Sequence, residues 1–131
     1  MDMTPLPQEK KILVVEDEPF MQELILEVIK DLGLPALALA SGDEAFAFLK
    51  EKHQEIYLMI TDVRMPGLMD GVDLANAVYE KWPHIRIVLS SGYASGQMLK
   101  LKKPTLFLAK PWSLDALQNA IVDAIDQLKE R

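Results

Sequence analysis

The sequence predicts an α/β fold: a doubly wound, five-stranded parallel sheet of strand order 2-1-3-4-5, covered by helices on both faces. Three observations predict the class, and the order is one of the two common to doubly wound sheets. Short apolar runs alternate with amphipathic stretches of ten or more residues, which is the βα rhythm of a parallel sheet. Several of the short runs are apolar throughout rather than alternating, as strands buried on both faces are. The chain has 131 residues, enough for one domain with one sheet.

The elements follow in order. Lys11 to Val15 (KILVV) is β-branched and too brief for a helix, so it reads as strand one. Phe20, Met21, Leu24, Ile25, Val28, Ile29 and Leu32 then recur at helical spacing, with Pro19 in the first turn and Gly33 at the end. Pro35 to Ala40 is a weaker second strand. Ser41-Gly-Asp-Glu44 has the pattern of a capping box, and Ala45, Phe46 and Leu49 give the second helix its apolar face. Ile56 to Thr61 is strand three. Val72, Ala75, Val78 and Trp82 mark a third helix that stops before Pro83. Ile85 to Leu89 is strand four. Ala94 to Lys103 is expected to be a fourth helix, although Ser95 and Gly96 weaken it. Thr105 to Ala109 is strand five. Leu114, Leu117, Ile121, Ala124, Ile125 and Leu128 form the stripe of a fifth helix, with Ser113 as its cap.

Composition narrows the function. Twenty acids against 14 bases leave a net charge of −6, without the basic footprint of a nucleic-acid or anionic-membrane binder. The absence of cysteine excludes disulfides, thiolate metal sites and a thiol nucleophile, and suits a reducing cytoplasm. The most apolar stretch, Leu32 to Ala40, falls far short of the ~20 residues of a membrane span. Residues 1–9 read as a flexible lead-in without a secretory core, and 10–131 as the domain. His53 and His84 lie far apart in sequence without metal-ligand neighbours and read as solvent-facing polar residues.

Chemistry in such a sheet belongs beyond the carboxyl ends of the strands. Strand one ends in Glu16-Asp17-Glu18, strand three in Asp62, strand four in Ser90-Ser91-Gly92 and strand five in Lys110-Pro111. Any one of these alone is more often a turn former or a helix cap. Together they gather acids, a hydroxyl and a lysine at one edge. Close carboxylates repel one another unless a cation offsets them, and a donor set of oxygens alone selects a hard ion such as Mg²⁺. Lys110 and Ser91 suit phosphoryl oxygens, and an Asp can accept a phosphoryl group as an acyl phosphate. Asp62, at the end of the middle strand, is the natural acceptor. Glu18 reads as an acid in a helix first turn with no ligand role.

VVEDEP at 14–19, TDVRMPGLMDG at 61–71, SSGYA at 90–94 and FLAKPW at 107–112 resemble, in order and at the right strand ends, the receiver domain of two-component response regulators. The resemblance covers residues 10 to about 128 and implies a flavodoxin-like (βα)5 fold. It implies Asp62 as phosphoacceptor, and Glu16, Asp17, Asp62 and the Arg64 backbone carbonyl as the site of Mg²⁺, or of Mn²⁺ in its place. Ser91 matches the switch hydroxyl rather than Ser90, because it precedes Gly92, where the family places a small residue. Phe107 matches the aromatic rotamer switch, though an apolar strand residue is as readily plain core. Lys110 matches the lysine that pairs with the phosphoryl group, and Lys110–Pro111 is expected to be cis. Arg64 and Tyr93 match positions that flank the phosphoryl group and tune its lifetime. The loop from Asp62 to Gly71 is one residue longer than the commonest spacing, and Tyr57 stands where the family often has an acid.

The implied partners are a sensor histidine kinase or histidine phosphotransfer protein as donor, and a downstream protein reached through a strand-four to helix-five face. That reading includes no nucleic acid and no membrane, and it admits a homodimer through the helix-four to helix-five face. The reading is of a stand-alone, cytoplasmic switch rather than an enzyme, since the receiver pattern leaves no room for an output domain within these residues. Lys100, Lys102 and Lys103 form a small basic patch that reads first as solvated surface. The alternatives are a receiver cut from a hybrid kinase or DNA-binding regulator, a phosphate sink in a relay, a scaffold that has lost signalling, and a Mg²⁺-dependent phosphatase of the haloacid dehalogenase type. The last carries a second Asp two residues after its nucleophile, where Arg64 stands here.

Overall fold

The computed structural model describes residues 10–92 and 96–129; the lead-in 1–9 lies outside them. Five strands form one sheet: β1 (Lys11–Val15), β2 (Ala36–Leu39), β3 (Ile56–Asp62), β4 (Arg86–Ser91) and β5 (Leu106–Ala109). All adjacent pairs are parallel and the order is β2-β1-β3-β4-β5, as expected. The helices are α1 (Pro19–Asp31), α2 (Gly42–Lys52), α3 (Gly71–Lys81) and α4 (Leu114–Lys129).

Successive strand residues point to opposite faces, so the sheet builds two cores. Ile12, Val14, Leu58, Ile60 and Val88 pack with Ile25 and Ile29 of α1 and Leu117 and Ile121 of α4. Leu13, Val15, Met59, Ile87 and Leu89 pack on the other face with Ala45 and Leu49 of α2 and Val72, Ala75 and Val78 of α3. The central strands are covered on both sides, which is why their sequences carry no polar alternation.

The helix starts are fixed by side chains. Glu18 caps α1 by accepting the Met21 N–H at 2.6 Å, with Pro19 at the first helical position. Ser41 caps α2 through the Glu44 N–H at 3.1 Å, while the Glu44 carboxylate reaches back to the Ala40 N–H rather than to that of Ser41. Asp70 and Asp73 form a complete capping box on α3. Ser113 accepts the Ala116 N–H at the start of α4.

Two expectations are corrected. Ala94 and Ser95 lie outside the described residues; in the rest of the expected fourth α-helix a 3₁₀ helix runs over Gly96–Lys100, so the predicted fifth helix is α4. The cause is tertiary. The Asn76 side chain of α3 donates to the Lys100 carbonyl and accepts from the Lys102 N–H, both at 2.9 Å, which takes the backbone groups a longer helix would use. Lys100, Lys102 and Lys103 also place like charges on adjacent turns. The second correction concerns His53, which is half-buried with its ring stacked on Trp82 at 5.5 Å. His84 is exposed, as expected, yet its Nε2 lies 3.0 Å from the His53 carbonyl. The two histidines precede neighbouring strands, so the sheet brings them together.

Candidate functional site

Register decides what meets at the carboxyl edge. Val15 pairs with Thr61, Asp62 with Ser90, and Ser91 with Ala109, so Glu16, Asp62, Ser91 and Lys110 end their strands at one level. Glu16 is buried, Asp17 exposed and Asp62 intermediate, and one oxygen from each lies within 4.8 Å of the others. Lys110 reaches across from the end of β5. Its Nζ is 3.2 Å from Asp62 Oδ2 and 3.7 Å from Glu16 Oε1.

The electrostatics follow from that packing. Burial pushes the Glu16 carboxyl above the usual carboxylate range, and the nearby Asp62 and Asp17 charges push the same way. The Glu18 N–H, which donates to Glu16 Oε2 at 3.1 Å, and the Lys110 ammonium oppose them. Lys110 sets one positive charge against three acids. A buried carboxylate beside two others, with oxygen donors alone, fits a hard divalent cation.

Other predicted residues divide between hydroxyl and aromatic roles. Ser90 and Ser91 are both buried, and the Ser90 Oγ accepts the Trp112 indole N–H at 3.1 Å. The Ser91 carbonyl accepts the Lys110 N–H at 2.7 Å, which ties the hydroxyl-bearing strand end to the lysine. Phe107 is 43% exposed on the edge strand β5, so it is not the plain core residue its apolar run also allowed. Arg64 is exposed in the loop after β3. The Lys110–Pro111 peptide bond is cis. Tyr93 lies outside the described residues.

Three contributors were not visible in the sequence. Gln22 of α1 donates to the Glu16 carbonyl at 2.9 Å. Trp112 engages Ser90. Asp43, in the first turn of α2, accepts the N–H groups of Leu68 and Met69 at 3.0 Å each, and so pins the loop that follows Asp62. Nothing in the local sequence signals a partner 25 residues away; an acid in a helix first turn is explained by the dipole alone. Gly67 of this loop has φ +108°, a conformation only glycine adopts readily, and it sits where Asp43 closes on the loop. Asp43→Ala is expected to lower stability by roughly 1–2 kcal/mol, because two backbone donors lose their acceptor. A urea midpoint equal to that of wild type would show that the loop holds itself.

Fold and site together define a doubly wound α/β module with an acidic site at the carboxyl edge of its sheet. Residues 12–122 match the family described as response regulator receiver domain, and the chain belongs to that family. It is 30% identical to the hydrogenase transcriptional regulatory protein HoxA of Cupriavidus necator over 91% of this chain, and spans only 25% of HoxA. It is 29% identical to the response regulator receiver protein CpdR of Brucella abortus, covering 86% of this chain and 93% of CpdR. A crystal structure of a response regulator receiver domain protein from Clostridium thermocellum superposes with a TM-score of 0.81 at 28% identity, over 92% of this chain and 97% of that one. Among the described residues no helix is long and apolar enough to cross a membrane.

Proposed function

We propose that the chain is a phosphoacceptor switch: Asp62 takes a phosphoryl group from a phosphohistidine on a sensor kinase or histidine phosphotransfer protein. The observation that carries this reading is Lys110 Nζ poised between Asp62 and Glu16 at the edge of a three-carboxylate cluster. In the transfer, an Asp62 carboxylate oxygen forms a bond to phosphorus as the phosphorus–nitrogen bond breaks. The imidazole leaves with the bonding electron pair and regains a proton from solvent.

The carboxylates of Glu16, Asp17 and Asp62 and the Arg64 carbonyl would hold Mg²⁺ or Mn²⁺, which when bound supplies neutralising charge for the phosphoryl oxygens. The new acyl phosphate adds up to two negative charges at the end of β3. Lys110 follows that charge. Ser91 supplies the hydroxyl donor; its place at the end of β4, where its carbonyl accepts the Lys110 N–H, supports this assignment. The edge position of Phe107 supports a ring able to move as Ser91 does. Local charge thus biases a two-state face built from β4, β5 and α4. A protein target, or a second copy of the chain, would read that face. The match to CpdR over 93% of that protein's length supports a response regulator of that kind.

The test is incubation with a small phosphodonor, with and without a divalent cation, followed by borohydride reduction and peptide mass spectrometry. Cation-dependent modification at Asp62 is the expected result; modification on another acid would move the site. Arg64 and Tyr93 are proposed to shield or position the water that attacks the acyl phosphate. Replacing both with Ala is expected to change the dephosphorylation rate severalfold, and an unchanged rate would sink that role.

A further inference from the structure

At the opposite end of β4 from the acidic site lies a cavity of about 430 Å³. It is bounded by Tyr79 of α3, Arg86 of β4, the segment Lys103–Thr105 before β5, and Gln127 of α4. Arg86 and Asp62 stand at opposite ends of paired strands; Arg86 is four residue steps from Ser90, the register partner of Asp62, which is roughly 13 Å.

The lining is electrostatically one-sided. It carries two cations, Arg86 and Lys103, and no carboxylate, in a protein where acids outnumber bases 20 to 14. The Arg86 guanidinium donates to the Gln127 side-chain oxygen from one terminal nitrogen, while its Nε–H is buried without an acceptor among the described residues. A buried charged donor left unpaired is costly, and its natural complement is an anionic oxygen. Lys103 Nζ stands 5.8 Å from the centroid of the Tyr79 ring, so the second cation overhangs the same wall. The hydroxyls of Tyr79 and Thr105 hydrogen-bond to each other and offer further polar edges. Ile85 and Leu106 complete the lining with apolar surface. A concave site with apolar walls and a few convergent polar groups is the form that small-molecule sites take.

We propose that this cavity binds a small organic anion, its carboxylate or phosphate held by the Arg86 guanidinium and Lys103 Nζ and its apolar body laid against Ile85 and Leu106. The site is separate from the phosphoacceptor and does not depend on that reading. Arginine offers a planar donor edge to either headgroup, so the two are separated by experiment.

The probes are phenyl phosphate, benzoate and the neutral benzyl alcohol, each titrated into the full chain without divalent cation and followed by ¹H–¹⁵N NMR of backbone and Arg Nε–H groups. Saturable shifts at Arg86 Nε–H and at the Tyr79 and Thr105 amides are expected, with a dissociation constant on the order of 1 mM for the better anion. Whichever of phenyl phosphate and benzoate binds more tightly identifies the headgroup. Arg86→Lys and the exposed Lys103→Ala are each expected to weaken binding roughly tenfold. Benzyl alcohol binding as well as the anions, shifts confined to the Asp62 edge, shifts without saturation, or affinity unchanged in a folded Lys103→Ala chain would each overturn the proposal.

Discussion

Asp62→Asn is expected to abolish phosphoryl labelling while leaving the unmodified protein as stable as wild type to within about 1 kcal/mol. The two halves have separate causes. Loss of labelling follows from loss of the nucleophile: an amide oxygen cannot form the acyl phosphate, and Glu16, though close, is buried and raised above the usual carboxylate range. Retained stability follows from the balance of charges. Asp62 receives Lys110 at 3.2 Å, and that contact is lost as an ion pair. The same carboxylate repels Glu16, and its removal leaves Lys110 to Glu16, 3.7 Å away. One attraction and one repulsion vanish together. Labelling that persists in Asp62→Asn would place the acceptor elsewhere. A large fall in the denaturation midpoint would show that Lys110 depends on Asp62 far more than on Glu16.

The strand ends were legible because a parallel sheet needs little more than apolar runs and breaks to declare itself. KILVV, IYLMIT and IRIVL are buried where they were expected, and the residues that follow them converge because the strands share a direction. The segment after β4 was not legible, since its end is set by Asn76, more than 20 residues away, through two hydrogen bonds from that side chain to the segment's backbone. Phe107 illustrates a different gap. TLFLA reads as a buried strand, yet β5 is the sheet's edge, and periodicity cannot distinguish an edge from a centre. His53 and His84 were read singly because their sequence separation hides that β3 and β4 are neighbours. That the carboxylates and the lysine lie close together was legible because each occupies a strand end. Asp43 escaped because it acts on a loop it does not belong to.

Gly71→Ala is expected to cost about 3 kcal/mol, the upper part of the range for forcing extra volume into a packed site. Gly71 opens α3, and its N–H donates to the Val63 carbonyl at 2.8 Å, closing the loop onto the end of β3. A β-carbon there would stand 1.9 Å from the Asp62 carbonyl oxygen and 2.8 Å from both the Asp62 carbonyl carbon and Val63 Cα. All three are backbone atoms of the segment that presents Asp62, so no side chain can swing aside. Either α3 retreats from the strand or the strand end twists. The first opens the core that Val72 and Ala75 fill, and the second moves the acceptor away from Lys110. Gly67→Ala is the instructive comparison. Its β-carbon would meet the Asp43 carboxylate, a side chain that can shift but only by loosening its hold on the Leu68 and Met69 N–H groups, so the positive φ and those weakened contacts together set its cost at about 2 kcal/mol. Urea unfolding of the two variants should therefore rank Gly71→Ala below Gly67→Ala, and phosphoryl labelling should slow in the first more than in the second. Equal midpoints would mean that the start of α3 yields freely, and that the close approach of helix and strand does not hold Asp62 in place.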